Sequence, residues 1–207
     1  MRKAVLNYLV VAVFTISVAL TSCGGGGGKG LSGKGLSGTY IGSVHGVKTT
    51  ITFSGDKIEI VGEGEGQNEM KGIYELVEEY KEDGFSRGKL VVTGREGQNE
   101  MSYVLEGKIL TFNYEIFIKE GTKSSKEYLN GVYEDSYNHS ITFTGNKFEW
   151  DISGTYELFV AERKGDGRIT GAMKLTFEQD GKNIDVIQRY QLEGDKLNIR
   201  GVTYTKK

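Results

Sequence analysis

The chain has 207 residues, enough for one ordinary domain or two small ones, and its 26 basic residues nearly balance its 28 acidic residues. Without a basic excess to neutralise phosphates, nucleic acid is not expected as a partner. The 12 Tyr and 9 Phe residues favour β-sheet, because aromatic side chains fit the half-buried faces of strands.

Residues 1–22 are typical of a secretory signal peptide, with a positive start, an apolar stretch and small residues before Cys23. The segment "LTSC" at residues 20–23 resembles the lipobox of bacterial lipoproteins, which are cleaved before the cysteine and acylated on its thiol. The resemblance implies that Cys23, the sole cysteine, anchors the protein in a bacterial cell envelope. Gly24 after the cysteine is similar to the sorting pattern of outer-membrane lipoproteins.

Residues 23–38 comprise this cysteine and a glycine-rich linker, "GGGGGKGLSGKGLSG". A segment of this composition buries too little surface to fix its backbone, so we predict a flexible tether. A phosphate-binding loop would need a preceding strand and a following helix, and the sequence predicts neither.

One phrase occurs twice, as "ITFSGDKIEI" at residues 51–60 and "ITFTGNKFEW" at residues 141–150. Apolar and polar residues alternate on both sides of a central glycine, which predicts a β-hairpin in each copy. The register places Phe53 opposite Ile58, Phe143 opposite Phe148, and Ile141 opposite Trp150. A second turn phrase also recurs, as "YVLEGKIL" and "YQLEGDKL".

We therefore predict an internal duplication, with a first β repeat at residues 39–118, a polar connector at 119–128 and a second repeat at 129–207. Short alternating segments separated by turn signals predict roughly six strands in each repeat. The expected fold is all-β, an antiparallel up-and-down meander or barrel built from two homologous halves. Whether the halves share one barrel or form two small domains is left open.

The openings Gly38-Thr39-Tyr40 and Gly131-Val132-Tyr133 resemble the first strand of lipocalin-like domains. The resemblance implies a barrel that holds a small apolar ligand. Four inward-facing residues are the candidate ligand contacts: Phe53, Ile60, Phe143 and Trp150.

The hexapeptide "EGQNEM" occurs at residues 65–70 and again at 96–101. Glycine among polar residues favours exposed turns, and the spacing does not match a calcium-binding loop. As exposed loops, these segments are candidates for contact with a partner, through Glu65, Gln67, Asn68, Glu69, Glu96, Gln98, Asn99 and Glu100.

The sequence predicts no catalytic residue, metal site or cofactor. His45 and His139 are expected in surface turns, and two ligands alone do not make a zinc site. The leading hypothesis is a non-enzymatic binding module for a small apolar ligand. The alternative is a surface protein-interaction module, such as an adhesin, inhibitor or scaffold component. Hydrolysis is a third hypothesis, because the 28 acidic residues offer many carboxylate pairs.

Overall fold

The computed structural model describes residues 36–63, 69–82, 84–95 and 97–207. The signal peptide, Cys23 and most of the linker lie outside these ranges. Within them the chain consists of strands and turns, and none of its described segments is a helix long and apolar enough to span a bilayer.

The strands form two closed antiparallel barrels of eight strands each. The first barrel closes through pairing of β1 with both β2 and β8. Its strands are β1 (Gly38–Val44), β2 (Val47–Ser54), β3 (Lys57–Gly62), β4 (Glu69–Glu82), β5 (Phe85–Gly94), β6 (Gly97–Glu106), β7 (Ile109–Phe112) and β8 (Glu115–Lys119).

The second barrel has the same up-and-down order and closes through pairing of β9 with both β10 and β16. Its strands are β9 (Gly131–Glu134), β10 (Ser140–Thr144), β11 (Lys147–Glu149), β12 (Ser153–Arg163), β13 (Ile169–Gln179), β14 (Lys182–Glu193), β15 (Lys196–Ile199) and β16 (Val202–Lys206). The all-β duplication is confirmed, with eight strands in each half rather than six.

The predicted hairpin register is confirmed in both copies for the phenylalanine positions. Phe53 pairs with Ile58, and Phe143 pairs with Phe148. The glycine that opens each turn has a positive φ, 63° at Gly55 and 58° at Gly145, which a side chain would resist. The predicted pairing of Ile141 with Trp150 is wrong, because β11 ends at Glu149.

Each barrel encloses its own core of inward-facing aliphatic and aromatic side chains. Edge-to-face aromatic pairs recur at matching positions. The rings of Phe53 and Tyr74 lie 5.2 Å apart, and those of Phe143 and Tyr156 lie 5.0 Å apart. An eight-stranded barrel is just wide enough for side chains to fill, and these two interiors are filled accordingly.

A leucine before the first strand of each barrel packs into one end of that barrel. Leu36 and Leu129 are each 4% exposed. The predicted flexible tether is therefore wrong at its end, because Leu36 belongs to the first core and Gly38 begins β1. The Tyr74 hydroxyl donates to the Leu36 carbonyl at 2.8 Å, and the Tyr156 hydroxyl donates to the Leu129 carbonyl at 2.9 Å. We call this the lower end of each barrel; the upper end holds the β1–β2 turn in the first barrel and the β9–β10 loop in the second.

The barrels lie side by side, with their upper ends on the same side of the molecule. A cluster containing Ile109, Ile118, Phe159 and Ala172 fills the junction between them. Near the lower ends, Glu106 of β6 accepts hydrogen bonds from Thr170 and Arg189 of the second barrel.

Burial holds the pKa of the Arg189 guanidinium below its ordinary value, although Glu106 opposes the shift. The Arg189 Nε atom also donates to the Thr111 hydroxyl at 3.1 Å. The two repeats are therefore joined by a partly buried, hydrogen-bonded ion pair as well as by apolar packing.

Candidate functional site

The four predicted ligand contacts fall into two classes. Phe53 and Phe143 are each 2% exposed and belong to the packed cores. Ile60 and Trp150 are half-buried and pack against the same cores from the upper ends. The structure therefore brings each phenylalanine together with its own barrel's core, but it does not bring the four residues together in one site.

Trp150 leaves the strand ladder and enters a bend. Its backbone N–H donates to the Ile152 carbonyl at 2.8 Å, and its ring contacts Tyr204 edge-to-face at 6.3 Å. The only tryptophan of the chain thus lies half-buried at the upper end of the second barrel.

The repeated hexapeptide is mainly strand where it is described. Gln98, Asn99 and Glu100 pair with Thr93, Val92 and Val91 in the β5–β6 ladder, so their predicted placement in a turn is wrong. Glu69 begins β4. Glu65, Gln67, Asn68 and Glu96 lie outside the described residues.

Alternation explains why the hexapeptide ends in methionine. Met70 packs against the first core, and Met101 is 9% exposed within it. Gln98 and Glu100 lie on the outer wall, where Glu100 forms an ion pair with Lys89 at 3.1 Å. Whether these outward side chains bind a partner stays a prediction.

Each barrel also has a shallow groove on its outer wall, about 470 Å³ in the first barrel and 450 Å³ in the second. The two grooves are lined by residues at equivalent positions of the repeats: Thr52 and Thr142, Ser54 and Thr144, Lys57 and Lys147, Glu59 and Glu149, Gly72 and Gly154. We call them the twin grooves. Hydroxyl, ammonium and carboxylate groups line both.

The groove of the first barrel has charged neighbours that come from the hexapeptide. Lys71, in its lining, forms ion pairs with Glu69 at 2.5 Å and Glu59 at 3.0 Å. Hydrogen bonding to Glu69, then to Glu59, raises the pKa of Lys71, and the hydrogen bond from Lys71 lowers the pKa of Glu69. Gln98 pairs with Thr93, another lining residue. Ser153 takes the position of Lys71 in the second groove.

One buried polar group stands out inside the second barrel. Gln188 of β14 is 5% exposed, and its cross-strand neighbour is Met173, which is fully buried. Within the described part of the chain, the Gln188 Oε1 atom has no hydrogen-bond partner. The first barrel has Met101 at the corresponding position, opposite Leu90.

The two histidines lie in exposed turns, as the sequence predicts. The His139 ring contacts Asp135 through Nδ1 at 3.0 Å. Burial raises the pKa of the Asp135 carboxyl, but hydrogen bonds from His139 and from the Tyr137 N–H outweigh it and hold the pKa below its ordinary value. No group of three or more potential metal ligands of the His, Cys, Asp or Glu type occurs among the described residues.

Sequence reasoning missed the twin grooves and Gln188, although signals for both exist. The outward residues of the repeated phrase recur together with the inward ones. A glutamine also occupies an inward position of "QRYQLEGDKL" where the first copy, "MSYVLEGKIL", has a methionine. Comparison with family models, with curated proteins and with solved structures finds no match for this chain.

Proposed function

We propose that the protein is a lipid-anchored lipoprotein of the bacterial cell envelope, attached through Cys23, and that it acts as a non-enzymatic binding module. The signal-like start and the glycine-rich tether support the anchor. The outer membrane is the proposed location, with Gly24 as the supporting residue.

The twin grooves support a protein partner bound on the outer wall. Substitutions of exposed residues usually change stability by less than about 0.5 kcal/mol, so stability alone gives little reason to keep outward side chains after duplication. Yet Lys57 and Glu59 recur as Lys147 and Glu149, and the hydroxyl residues Thr52 and Ser54 recur as Thr142 and Thr144. The recurrence of these outward side chains in both grooves is the observation that carries the proposal.

Two equivalent sites on one chain favour a partner that presents a repeated or dimeric surface. Linking two weak sites increases overall affinity by roughly 10²- to 10⁴-fold without new contacts. The first groove also contains Lys71, which is ion-paired to Glu69, where the second groove has Ser153, and this difference gives the partner a defined orientation.

Charge reversal in the grooves tests the proposal. The full chain serves as bait for an envelope fraction of its host, with Lys57→Glu, Lys147→Glu and the double variant compared with the wild type. We expect each single variant to lower retention of the captured partner at least about tenfold by removing bivalency, and the double variant to abolish it.

The matched control makes the same charge change outside the grooves, with Lys123→Glu and Lys126→Glu in the exposed connector. Its binding should equal that of the wild type. Retention of the same partner by the Lys57→Glu/Lys147→Glu double variant at wild-type strength would refute the proposed surface.

A second candidate is the small apolar ligand implied by the resemblance to lipocalin-like domains. The half-buried Trp150 and the buried Gln188 favour it for the second barrel. The packing of Phe53 and Phe143 within filled cores favours the outer wall as the main binding surface.

A further inference from the structure

The two ends of the barrels carry opposite net charge. Each end comprises its strand connections, the chain beyond the outermost strands, and the strand residues that flank them. Among the described residues of these segments, the lower ends hold twelve basic and eight acidic side chains, whereas the upper ends hold three basic and eight acidic ones. The connector at 120–130 contributes two of each sign to the lower ends. The positive excess therefore comes from the barrels themselves.

Six lysines account for this excess, three from each barrel. Within the described part of the chain, none of them has a carboxylate within ion-pair distance, whereas the other basic side chains of the lower ends outside the connector each have one. Five of the six are exposed and one, Lys119, is half-buried with its ammonium 5.8 Å from the centre of the Tyr40 ring. We call them the lower-end lysines: Lys57, Lys108, Lys119, Lys147, Lys196 and Lys206.

The chain enters the described structure at this same end. Leu36 packs into the lower end of the first barrel, and Cys23 precedes it by thirteen residues. Covalent geometry therefore limits the distance between Cys23 and Leu36 to about 45 Å, at roughly 3.5 Å per residue. An acyl group on Cys23 would keep the lower ends within that distance of a bilayer, but this limit alone does not decide which end faces the lipid.

We propose that the lower-end lysines bind the anionic phospholipid head groups of the membrane, so that the anchored protein stands with its lower ends on the bilayer and its upper ends turned away. The membrane is the one implied by the proposed attachment at Cys23, so the inference rests on that function, whereas binding by the lysines needs no acyl group. Each lysine near an anionic surface strengthens association roughly fivefold, and the acidic upper ends are repelled by the same surface.

Vesicle binding tests the surface without the anchor. The mature chain, from residue 23, is prepared with Cys23→Ser so that it carries no acyl group. Its sedimentation is measured with vesicles of phosphatidylcholine alone and with vesicles that contain about 30% phosphatidylglycerol. We expect binding at least about fivefold stronger to the anionic vesicles, and this difference should shrink as salt shortens the range of the attraction to about 8 Å at physiological ionic strength.

Two triple variants of equal net charge separate the lower surface from total charge. Lys108→Gln, Lys196→Gln and Lys206→Gln together should weaken binding to the anionic vesicles at least about tenfold. The matched control, Arg95→Gln with Lys182→Gln and Arg200→Gln, neutralises the three basic residues of the upper ends and should bind within about twofold of the wild type. All six positions are exposed, so the thermal unfolding temperature should change little in either variant.

The orientation is tested with the acylated protein on the anionic vesicles. Trp150, the sole tryptophan, lies at an upper end, about 20 Å from the lower end for an eight-residue strand tilted by about 40°. The comparison protein combines Trp150→Phe with Tyr128→Trp, which moves the tryptophan to an exposed position beside Leu129 at the lower end. Lipids with spin-labelled head groups should quench the tryptophan at position 128 at least about twice as strongly as Trp150.

Three results would overturn the inference: equal binding of the unacylated chain to both kinds of vesicle, equal losses in the two triple variants, or quenching of Trp150 as strong as that at position 128. Mass spectrometry of the purified protein decides separately whether Cys23 is acylated. An unmodified Cys23 would refute the proposed anchor, while the vesicle measurements would still decide whether the lower-end lysines bind anionic lipid.

Discussion

At the scale of single residues, buried tyrosines are the main polar constituents of both cores. Tyr74 and Tyr156 use their hydroxyls to hold the leucine carbonyls at the lower ends. In the first barrel the Tyr103 hydroxyl donates to Glu79 at 2.9 Å, and burial, then this contact, raises the pKa of Tyr103. The stability of both cores therefore depends on these tyrosine hydroxyls remaining protonated.

This dependence predicts a loss of stability at alkaline pH. Tyr190 has a folded-state pKa of about 12, above the ordinary value of 10.0, so its contribution is complete below pH 10 and is lost as pH rises through 12. We expect the free energy of unfolding to fall above pH 10, with Tyr190 contributing up to about 1.4 kcal/mol per pH unit.

Denaturant unfolding between pH 8 and 12 measures this slope. The Tyr190→Phe variant is the comparison, because it cannot ionise at this position, and its slope should be shallower. Identical slopes in the two proteins would contradict the assignment to Tyr190.

At the scale of strands, two glycines allow a neighbouring strand to approach closely. A Cβ on Gly72 would lie 2.7 Å from the Thr93 carbonyl oxygen, and one on Gly154 would lie 2.2 Å from that of Thr176. Real Cβ atoms do not approach backbone that closely, so these positions admit glycine alone without movement of a neighbouring strand.

We therefore expect Gly154→Ala to destabilise the protein by on the order of 1–3 kcal/mol through overpacking. Thermal or denaturant unfolding measures the change. Gly165→Ala is the control, because Gly165 lies in a turn with open space around it and should change stability little. Similar effects for both substitutions would refute the close-approach argument.

Periodicity predicted the strands well because one face of each is buried. The alternation of Ile51 and Phe53 with Thr52 fixed the register of the first hairpin, and the same pattern placed Phe143. The prediction from the sequence pattern was wrong at two places where the shape of the barrel determines the path of the backbone. Trp150 bends away from the ladder, and Gln98–Glu100 extend a strand although their composition favours a turn.

The candidate site was less predictable than the fold, since grooves and unpaired amides arise from contacts between distant strands. Lys57 and Glu59 could be assigned to the outer face from alternation alone. That they border a groove together with Thr93 depends on how β3, β4 and β5 curve. The missing partner of Gln188 likewise depends on the packing of a whole interior.

At the scale of the whole molecule, the two repeats contact each other through apolar side chains and the ion pair between Arg189 and Glu106. Arg189 and Glu106 retain 27% and 17% side-chain exposure, so the pair is desolvated to a large degree but not completely. Removing one partner of such a pair leaves the other charge poorly solvated, which costs more than the pair contributes.

We expect Arg189→Met to lower the free energy of unfolding by on the order of 1–3 kcal/mol, below the range for fully buried pairs. A double-mutant cycle with Glu106→Gln should give a coupling above about 0.5 kcal/mol. The exposed pair Arg163–Glu127 is the control and should couple by less than about 1 kcal/mol, and by less than the junction pair. Equal coupling energies in the two cycles would mean that the junction pair contributes no more than a surface contact.

The closure of each barrel within one continuous stretch of chain has a consequence for biosynthesis. Repeats with similar sequences risk pairing a strand with its counterpart in the other repeat, a common failure of duplicated proteins. Here β1 meets β8 directly, so residues 38–119 hold every strand that the first barrel needs. The first barrel is able to complete its ladder before β9 leaves the ribosome. Synthesis order thus separates two halves that would otherwise compete for the same strands.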